Sequence, residues 1–209
     1  MRFAPNQRLV FIGDSITDAG RRDAAPPLGS GYVGIVAGFL AAQYPDHHLS
    51  VINRGIGGDT VRHLAARWQA DAIGPRPDWL AVGIGINDVW RTFGDNTHEA
   101  VPLPEYRDTL FTLLTRARDD TGCRLIVIEP YLIESDRADA MRARMDEYGQ
   151  AARAVAQALD AVEVHTQDAF DTVLATTTPA DWAADRVHPN VAGHAVIAHA
   201  FLRATGVIH

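Results

Sequence analysis

Short apolar runs alternate along this chain with longer segments of helical periodicity. The apolar runs lie at residues 9–13, 49–53, 79–86, 125–129 and 161–165. Runs that are apolar on both faces are typical of strands buried within a parallel sheet, and helices usually make the crossover connections between such strands. The pattern therefore predicts an α/β layered domain with a central parallel sheet of about five strands.

Helices are predicted in the segments between these runs. Residues 60–72 carry apolar side chains on one helical face, and Thr60 is a suitable N-cap for this helix. Further helices are expected over residues 32–44, 105–120 and 138–159. The last helix should begin near Asn190 and place these residues on one face: Val191, His194, Ala198, Phe201 and Leu202. Residues 24–31 and 91–104 form the longest irregular connections, which often line binding sites.

Composition and charge narrow the function classes. With 209 residues, 47% of them hydrophobic and 22% charged, the chain suits one globular domain over its whole length. The net charge of −7 argues against a nucleic-acid partner. No signal-peptide core or membrane-spanning run is visible, which predicts a cytoplasmic protein without a membrane partner. The single Cys123 lies beside an apolar run and is expected to be buried and unreactive.

Ser15 is the first candidate for chemistry, because it stands where the first predicted strand ends. A serine hydroxyl becomes an effective nucleophile only beside a base, and Gly13 permits the close backbone approach that a tight turn needs. Asp185 and His188 stand three residues apart ahead of the last helix. At that spacing the carboxylate can hold one imidazole nitrogen and leave the other facing Ser15. The alternatives are a helix N-cap serine and an ordinary capping or surface Asp–His pair.

Acyl transfer also requires hydrogen-bond donors for the developing oxyanion. Three candidates stand near the predicted carboxyl ends of parallel strands, where open α/β sheets bind ligands. They are the backbone N–H groups of Ser15 and Gly58 and the side-chain amide of Asn87. The glycine cluster at residues 55–60 could instead bind phosphate, but it lacks the Walker lysine and the dinucleotide spacing. Asn87 could also be an ordinary turn residue.

Four short sequence motifs, called blocks below, follow one another along the chain. They are Gly13-Asp14-Ser15-Ile16, the Gly58 loop, Gly85-Ile86-Asn87-Asp88 and Asp185-x-x-His188-Pro189. In order and spacing, over almost the whole chain, this set resembles the SGNH (GDSL-type) hydrolases. Ordinary α/β-hydrolases differ, because their nucleophile lies in a Gly-x-Ser-x-Gly elbow and Thr17 stands here at the second glycine.

The resemblance implies a flavodoxin-like three-layer α/β/α sandwich and a serine esterase that needs no metal or other cofactor. It assigns Ser15, Asp185 and His188 to a catalytic triad, and Ser15, Gly58 and Asn87 to an oxyanion hole. Residues 31–33, 53–56, 86–91 and 185–189 further resemble the acetylxylan-esterase-type branch, which are serine carbohydrate O-deacetylases. That similarity implies a small-molecule or oligosaccharide ester, with acetyl as the acyl group, as substrate.

The chain departs from this branch at two positions near the blocks. Gly57 stands where relatives often carry serine, and Ala184 stands where an aromatic residue is common. Both departures concern the substrate pocket rather than the triad.

Five residues near the blocks are candidate substrate contacts: Asp14, Arg54, Trp90, Arg91 and Trp182. The two tryptophans could stack on a sugar ring, and the two arginines could donate hydrogen bonds to its hydroxyls. Core or subunit packing is the alternative for the tryptophans. Solvation or pairing with surface carboxylates is the alternative for the arginines.

Other readings of the sequence remain open. The nine histidines show no zinc-like spacing, since His194 and His199 fall on different helical faces. A lysophospholipase or thioesterase could use the same machinery with a longer apolar groove. An inert carbohydrate-binding or scaffold protein would be expected to lack a catalytic residue, and none is substituted. A homo-oligomer is compatible with the sequence.

Overall fold

The computed structural model describes residues 3–94 and 96–209, and its centre is a five-stranded sheet. The strands are β1 (Arg8–Gly13), β2 (Ser50–Gly55), β3 (Trp79–Gly83), β4 (Arg124–Ile128) and β5 (Val162–Val164). All neighbours pair in parallel, in the order β2-β1-β3-β4-β5. Strands β1, β3 and β4 are buried almost throughout, which accounts for their continuous apolar runs. The predicted sheet is confirmed.

Helices cover both faces of this sheet. They are α1 (Ser15–Asp18), α2 (Tyr32–Gln43), α3 (Val61–Trp68), α4 (Ile86–Trp90), α5 (Leu103–Thr121), α6 (Ala140–Ala158), α7 (Thr166–Leu174) and α8 (Val191–Ala204). The step from β1 to β2 runs in one direction across the sheet, and the later steps run in the other. Right-handed crossovers therefore place α2 on one face and α3, α5 and α6 on the opposite face. The helix contacts agree, because α2 packs on α8 while α5 packs on α3 and α6.

The result is a three-layer α/β/α fold with the flavodoxin-like strand order, as the resemblance implied. Cys123 is buried and its thiol is free, and burial raises the pKa of that thiol. Thr60 occupies the N-cap position of α3, as expected. None of the helices within residues 3–94 and 96–209 combines the length and apolarity that crossing a membrane requires.

Several predicted boundaries are wrong. The strand expected over residues 79–86 ends at Gly83, because Gly85 has a φ of 139° that no strand allows and Ile86 already begins α4. The α-helix expected to reach residue 72 ends at Trp68. A π-helical turn follows it from Gln69 to Ile73. The irregular segment 91–104 contains two 3₁₀ turns and the start of α5, while Asp95 lies outside the described residues.

Val191 is a further correction. It was expected on the buried face of the last helix, but it is 77% exposed. Val191 is the first residue of α8, whereas His194, Ala198, Phe201 and Leu202 follow in the turns that are buried. The short helices α1, α4 and α7 were not predicted, because four, five and nine residues provide too little helical periodicity to recognise.

Candidate active site

Three strands end side by side beneath the candidate site. Gly13 of β1 lies in register with Gly55 of β2 and Gly83 of β3. A Cβ on Gly13 would stand 2.2 Å from the carbonyl oxygen of Gly83, so only glycine allows this approach. The segments that follow these ends carry Ser15, Gly58 and Asn87, which places them at the edge of the sheet where ligands bind in such folds.

Ser15 is presented by a tight strand-to-helix turn. Asp14 is the N-cap of α1, and its Oδ1 accepts a hydrogen bond from the N–H of Ile16 at 3.0 Å. Ser15 is then the first residue of α1 and is partly exposed. Its Oγ lies 2.9 Å from Nε2 of His188, which is 173 residues away in the chain.

The segment from Asp185 to His188 forms a self-contained turn. Asp185 Oδ2 lies 2.6 Å from His188 Nδ1, and Oδ1 accepts the N–H groups of Val187 at 3.0 Å and His188 at 2.8 Å. Partial burial raises the pKa of Asp185, but these hydrogen bonds outweigh it and hold the pKa below its ordinary value. The carboxylate therefore stays ionised and fixes the imidazole orientation.

Arg186 anchors this turn to the rest of the molecule. Its carbonyl accepts the N–H of Ile133 at 2.9 Å, and its guanidinium lies 2.7 Å from Glu134 and 3.1 Å from Asp139. Its φ is 66°, a left-handed conformation that is uncommon for a residue with a Cβ. Sequence reasoning noted Arg186 only as part of a motif and missed its anchoring contacts, because both carboxylates lie more than 40 residues away.

The three expected oxyanion donors belong to adjoining segments. Asn87 is buried, and its Nδ2 donates to the carbonyl of Asp59 at 3.0 Å, directly beside Gly58. A Cβ on Gly57 would lie 3.8 Å from the Cβ of Ser15, so the Gly58 loop passes next to the nucleophile. Among the residues that the structure describes, the N–H groups of Ser15 and Gly58 donate to no protein acceptor. They are available to a ligand.

Two acidic residues near the candidate site, Asp14 and Asp88, are buried. Asp14 is only 2% exposed, and burial, with the neighbouring charges of Asp88 and Asp59, raises its pKa to about 7. Asp88 is fully buried, which raises its pKa to about 7 as well, and its Oδ1 accepts the N–H of Val61 at the start of α3. The structure thus places Asp14 behind the nucleophile rather than on the open face. Asp88 therefore holds the start of α3 to the Asn87 segment. This role was not predicted from the sequence.

Trp90 and Arg91 reach the site from the end of α4. The ring centroids of Trp90 and His188 are 5.7 Å apart, and Trp90, Arg91 and Asn87 line one surface pocket. The guanidinium of Arg91 is already engaged, because it donates to the carbonyl of Gly58 at 2.5 Å and pairs with Glu99.

Arg54 and Trp182 point to other partners. The Nε of Arg54 lies 3.9 Å from a carboxylate oxygen of Asp71. The indole N–H of Trp182 donates to Thr177 Oγ1 at 2.7 Å, and its ring lines a groove between α7 and α8. The structure therefore places the Trp182 ring in this groove.

The site has the arrangement that serine hydrolases use. It consists of a hydroxyl, an imidazole and a carboxylate in series, beside backbone N–H groups that are available to a ligand. The model of the GDSL-like lipase/acylhydrolase family matches residues 11–196, and the chain belongs to this family of ester hydrolases. The resemblance seen in the sequence is confirmed.

Individual relatives are similar over nearly the full length. An acetylxylan esterase of Geobacillus stearothermophilus is 44% identical over 213 residues, which cover 99% of this chain and 97% of the esterase. Its crystal structure superposes with a TM-score of 0.94 over the same shares of the two chains. An α/β hydrolase enzyme from the metagenome of Lake Arreo, Spain, superposes with a TM-score of 0.95 at 47% identity, covering 100% of this chain and 99% of that one. Catalytic mutants of the Geobacillus esterase replace a serine, an aspartate or a histidine by alanine.

Proposed function

We propose that this protein is a serine esterase that removes short acyl groups, acetyl first among them, from carbohydrates. The observation that carries the proposal is the continuous series from Ser15 through His188 to Asp185, with contacts of 2.9 and 2.6 Å. Membership of the acylhydrolase family supports the reaction class. The 44% identical acetylxylan esterase supports an acetylated carbohydrate as substrate.

In the proposed reaction, His188 Nε2 accepts the proton of Ser15 as Ser15 Oγ attacks the ester carbonyl. The resulting oxyanion accepts hydrogen bonds from the N–H groups of Ser15 and Gly58 and from the amide of Asn87. Asp185 stabilises the imidazolium without taking its proton. When the tetrahedral intermediate collapses, the sugar oxygen leaves with the proton from His188, and the acyl group stays on Ser15. Water, deprotonated by His188, then releases the acid by the same route.

The surroundings of the site suit a bulky alcohol as leaving group. The side chains of His188 and Asp185 are 45% and 42% exposed, so the triad lies at an open surface rather than in a closed tunnel. Gly57 and Ala184 are small and exposed where the related branch often carries larger residues. Trp90 offers a ring face beside His188, and such faces stack on sugar rings.

Replacement of the nucleophile tests the reaction class. We expect Ser15→Ala to lower kcat on an aryl acetate by at least about 10³-fold, because the covalent route is lost. Ser30→Ala is the matched control, since Ser30 is exposed and its hydroxyl donates to the carbonyl of Ala19. Wild-type rates in the Ser15 variant would contradict the proposal.

The substrate class needs a separate test. Mass spectrometry should show loss of acetyl groups from acetylated xylo-oligosaccharides, and activity on aryl esters should fall steeply beyond propionate. Activity that rises from acetate to decanoate, with little action on the oligosaccharides, would contradict the carbohydrate assignment. That result would favour the lysophospholipase or thioesterase reading.

Two other expectations stay predictions, a single domain and a cytoplasmic location, while a homo-oligomer is compatible with the sequence. The assembly is decided by sedimentation equilibrium of the purified protein. Fractionation of the native host decides the location.

A further inference from the structure

Arg67 joins the segments that build the site, although it lies on the last turn of α3. Its Nε donates to Asp59 Oδ2 at 2.7 Å, and Nη2 donates to the carbonyl of Gly13 at 3.0 Å. Nη1 donates to the carbonyl of Arg54 at 2.7 Å and to Asp71 Oδ2 at 2.9 Å. Only 15% of the side chain is exposed. One guanidinium therefore ties the ends of β1 and β2, the Gly58 loop and the segment after α3 together.

The positions of these acceptors give Arg67 its significance. Gly13 stands two residues before Ser15, and Asp59 directly follows Gly58. Arg67 thus bridges the two segments whose backbone N–H groups face the site. The separation of two oxyanion donors matters, because such donors act only within a few tenths of an ångström of the correct position.

Charge adds a second effect. Asp59 is 7% exposed. It directly follows Gly58, whose N–H group would stabilise the negative charge that develops on the oxyanion. An unpaired carboxylate at that place would oppose an oxyanion, and the interaction is strong where water is excluded. The contact of Arg67 Nε with Asp59 neutralises this charge.

We propose that Arg67 is a positioning residue that sets the Gly58 N–H against the Ser15 N–H for the oxyanion. It touches neither the substrate nor Ser15, and it acts through Gly13 and Asp59. The planar guanidinium is required, because a lysine ammonium cannot reach carbonyls in two strands and a carboxylate in the loop together. This inference rests on the proposed function.

Arg67→Lys and Arg67→Met are the test variants, and Arg62→Met is the matched control. Arg62 lies on the same helix, and its side chain is 44% exposed in a surface pair with Glu105. We expect Arg67→Lys to lower kcat on an aryl acetate by about 10- to 100-fold, with KM changed by less than about threefold. Arg67→Met should lose more, because Asp59 is then left unneutralised. Arg62→Met should stay within about twofold of the wild-type rate.

Two readouts separate positioning from simple destabilisation. The inhibition constant of an aryl trifluoromethyl ketone, which adds to Ser15 and places an oxyanion in the site, should rise by the factor by which kcat/KM falls. The pH profile of kcat/KM should keep its midpoint, because Arg67 contacts neither His188 nor Asp185. Circular dichroism confirms that each variant is folded at the assay temperature, and Arg67→Lys serves if Arg67→Met fails to fold.

Unchanged kcat in Arg67→Lys would overturn the inference alone, provided that the wild type is active and Ser15→Ala is not. A loss of kcat without a matching loss of ketone affinity would also overturn it. Full activity in Ser15→Ala would overturn the proposed function, and this inference with it.

Discussion

At Gly58 the backbone conformation of one residue sets the direction of a donor. Its φ is +84°, in the left-handed region, while the adjacent Gly57 is not among the residues with positive φ. A Cβ on Gly58 would find only Arg91 Nη2 at 3.6 Å, so the space is open and the constraint is conformational. For a residue with a Cβ, this conformation is less favourable by roughly 1 kcal/mol or more of free energy. The N–H of Gly58 therefore depends on glycine for its orientation.

Gly58→Ala should lower both stability and turnover. We expect a loss of roughly 1 to 2 kcal/mol in the free energy of unfolding. If the loop relaxes to negative φ instead, the donor turns away and kcat falls by about 10²-fold. Gly57→Ala is the control, because its Cβ would make an ordinary 3.8 Å contact with Ser15. Equal free energies of unfolding together with equal kcat values for the two variants would contradict the prediction, because a strained backbone lowers the first and a relaxed one lowers the second.

Among the elements, the turn from Asp185 to His188 depends on contacts outside itself. Its internal hydrogen bonds hold the carboxylate against the imidazole, but they do not orient the pair toward Ser15. Arg186 supplies that orientation through Glu134 and Asp139, at the cost of a left-handed φ of 66°. Asp139 is also the N-cap of α6. The turn is therefore held to a helix on the face of the sheet that also carries α3 and α5.

Two substitutions at Arg186 should separate its backbone cost from its ion pairs. Both Arg186→Ala and Arg186→Gly lose two partly exposed pairs, which contribute about 0 to 1 kcal/mol each. Only glycine also relieves the left-handed strain, so the Gly variant should be more stable than the Ala variant by about 1 kcal/mol. Urea unfolding measures the difference. Greater stability of the Ala variant would show that the backbone is not strained at this position.

In the whole molecule, the site lies where the direction of the strand order reverses. β1 stands between β2 and β3, and the segments after all three strands meet at one edge. On one face, the N–H of Tyr32 at the start of α2 donates to His194 Nδ1 of α8 at 3.3 Å. This contact requires a neutral imidazole.

The stability of the fold should therefore depend on pH through His194. Burial, and then the neighbouring His188, lowers the pKa of His194 from 6.5 to about 4. Between these pH values the unfolded chain binds a proton that the folded chain does not bind. The contribution of neutral His194 to stability is thus complete above pH 6.5 and is lost as pH falls toward 4, by up to about 3 kcal/mol.

The comparison of His194→Gln with His199→Gln isolates this effect, because His199 is exposed on the same helix. Urea unfolding at several pH values from 7 to 4 should show that the stability of His194→Gln rises relative to that of the wild type as pH falls. The His199 variant should follow the wild type. Parallel curves for all three proteins would contradict the prediction.

The sequence by itself determined the layered α/β fold and the blocks of the site. Buried parallel strands leave continuous apolar runs, and long amphipathic helices leave periodic ones, so both are visible locally. Ser15, Gly58 and Asn87 were recognisable for the same reason, since each stands in a short motif beside a strand end. The pairing of Asp185 with His188 was implied by their spacing of three residues.

Only the tertiary structure decided which groups meet across the chain and which do not. It brought His188 to Ser15 over 173 residues and turned Trp182 toward the groove between α7 and α8. It also gave Arg67 and Arg186 their partners, which no local pattern marks, because an arginine on a helix or turn is ordinarily solvated. The physical reason is that hydrogen bonds depend on distance and direction in space. For residues far apart in the chain, strand order and helix packing fix both.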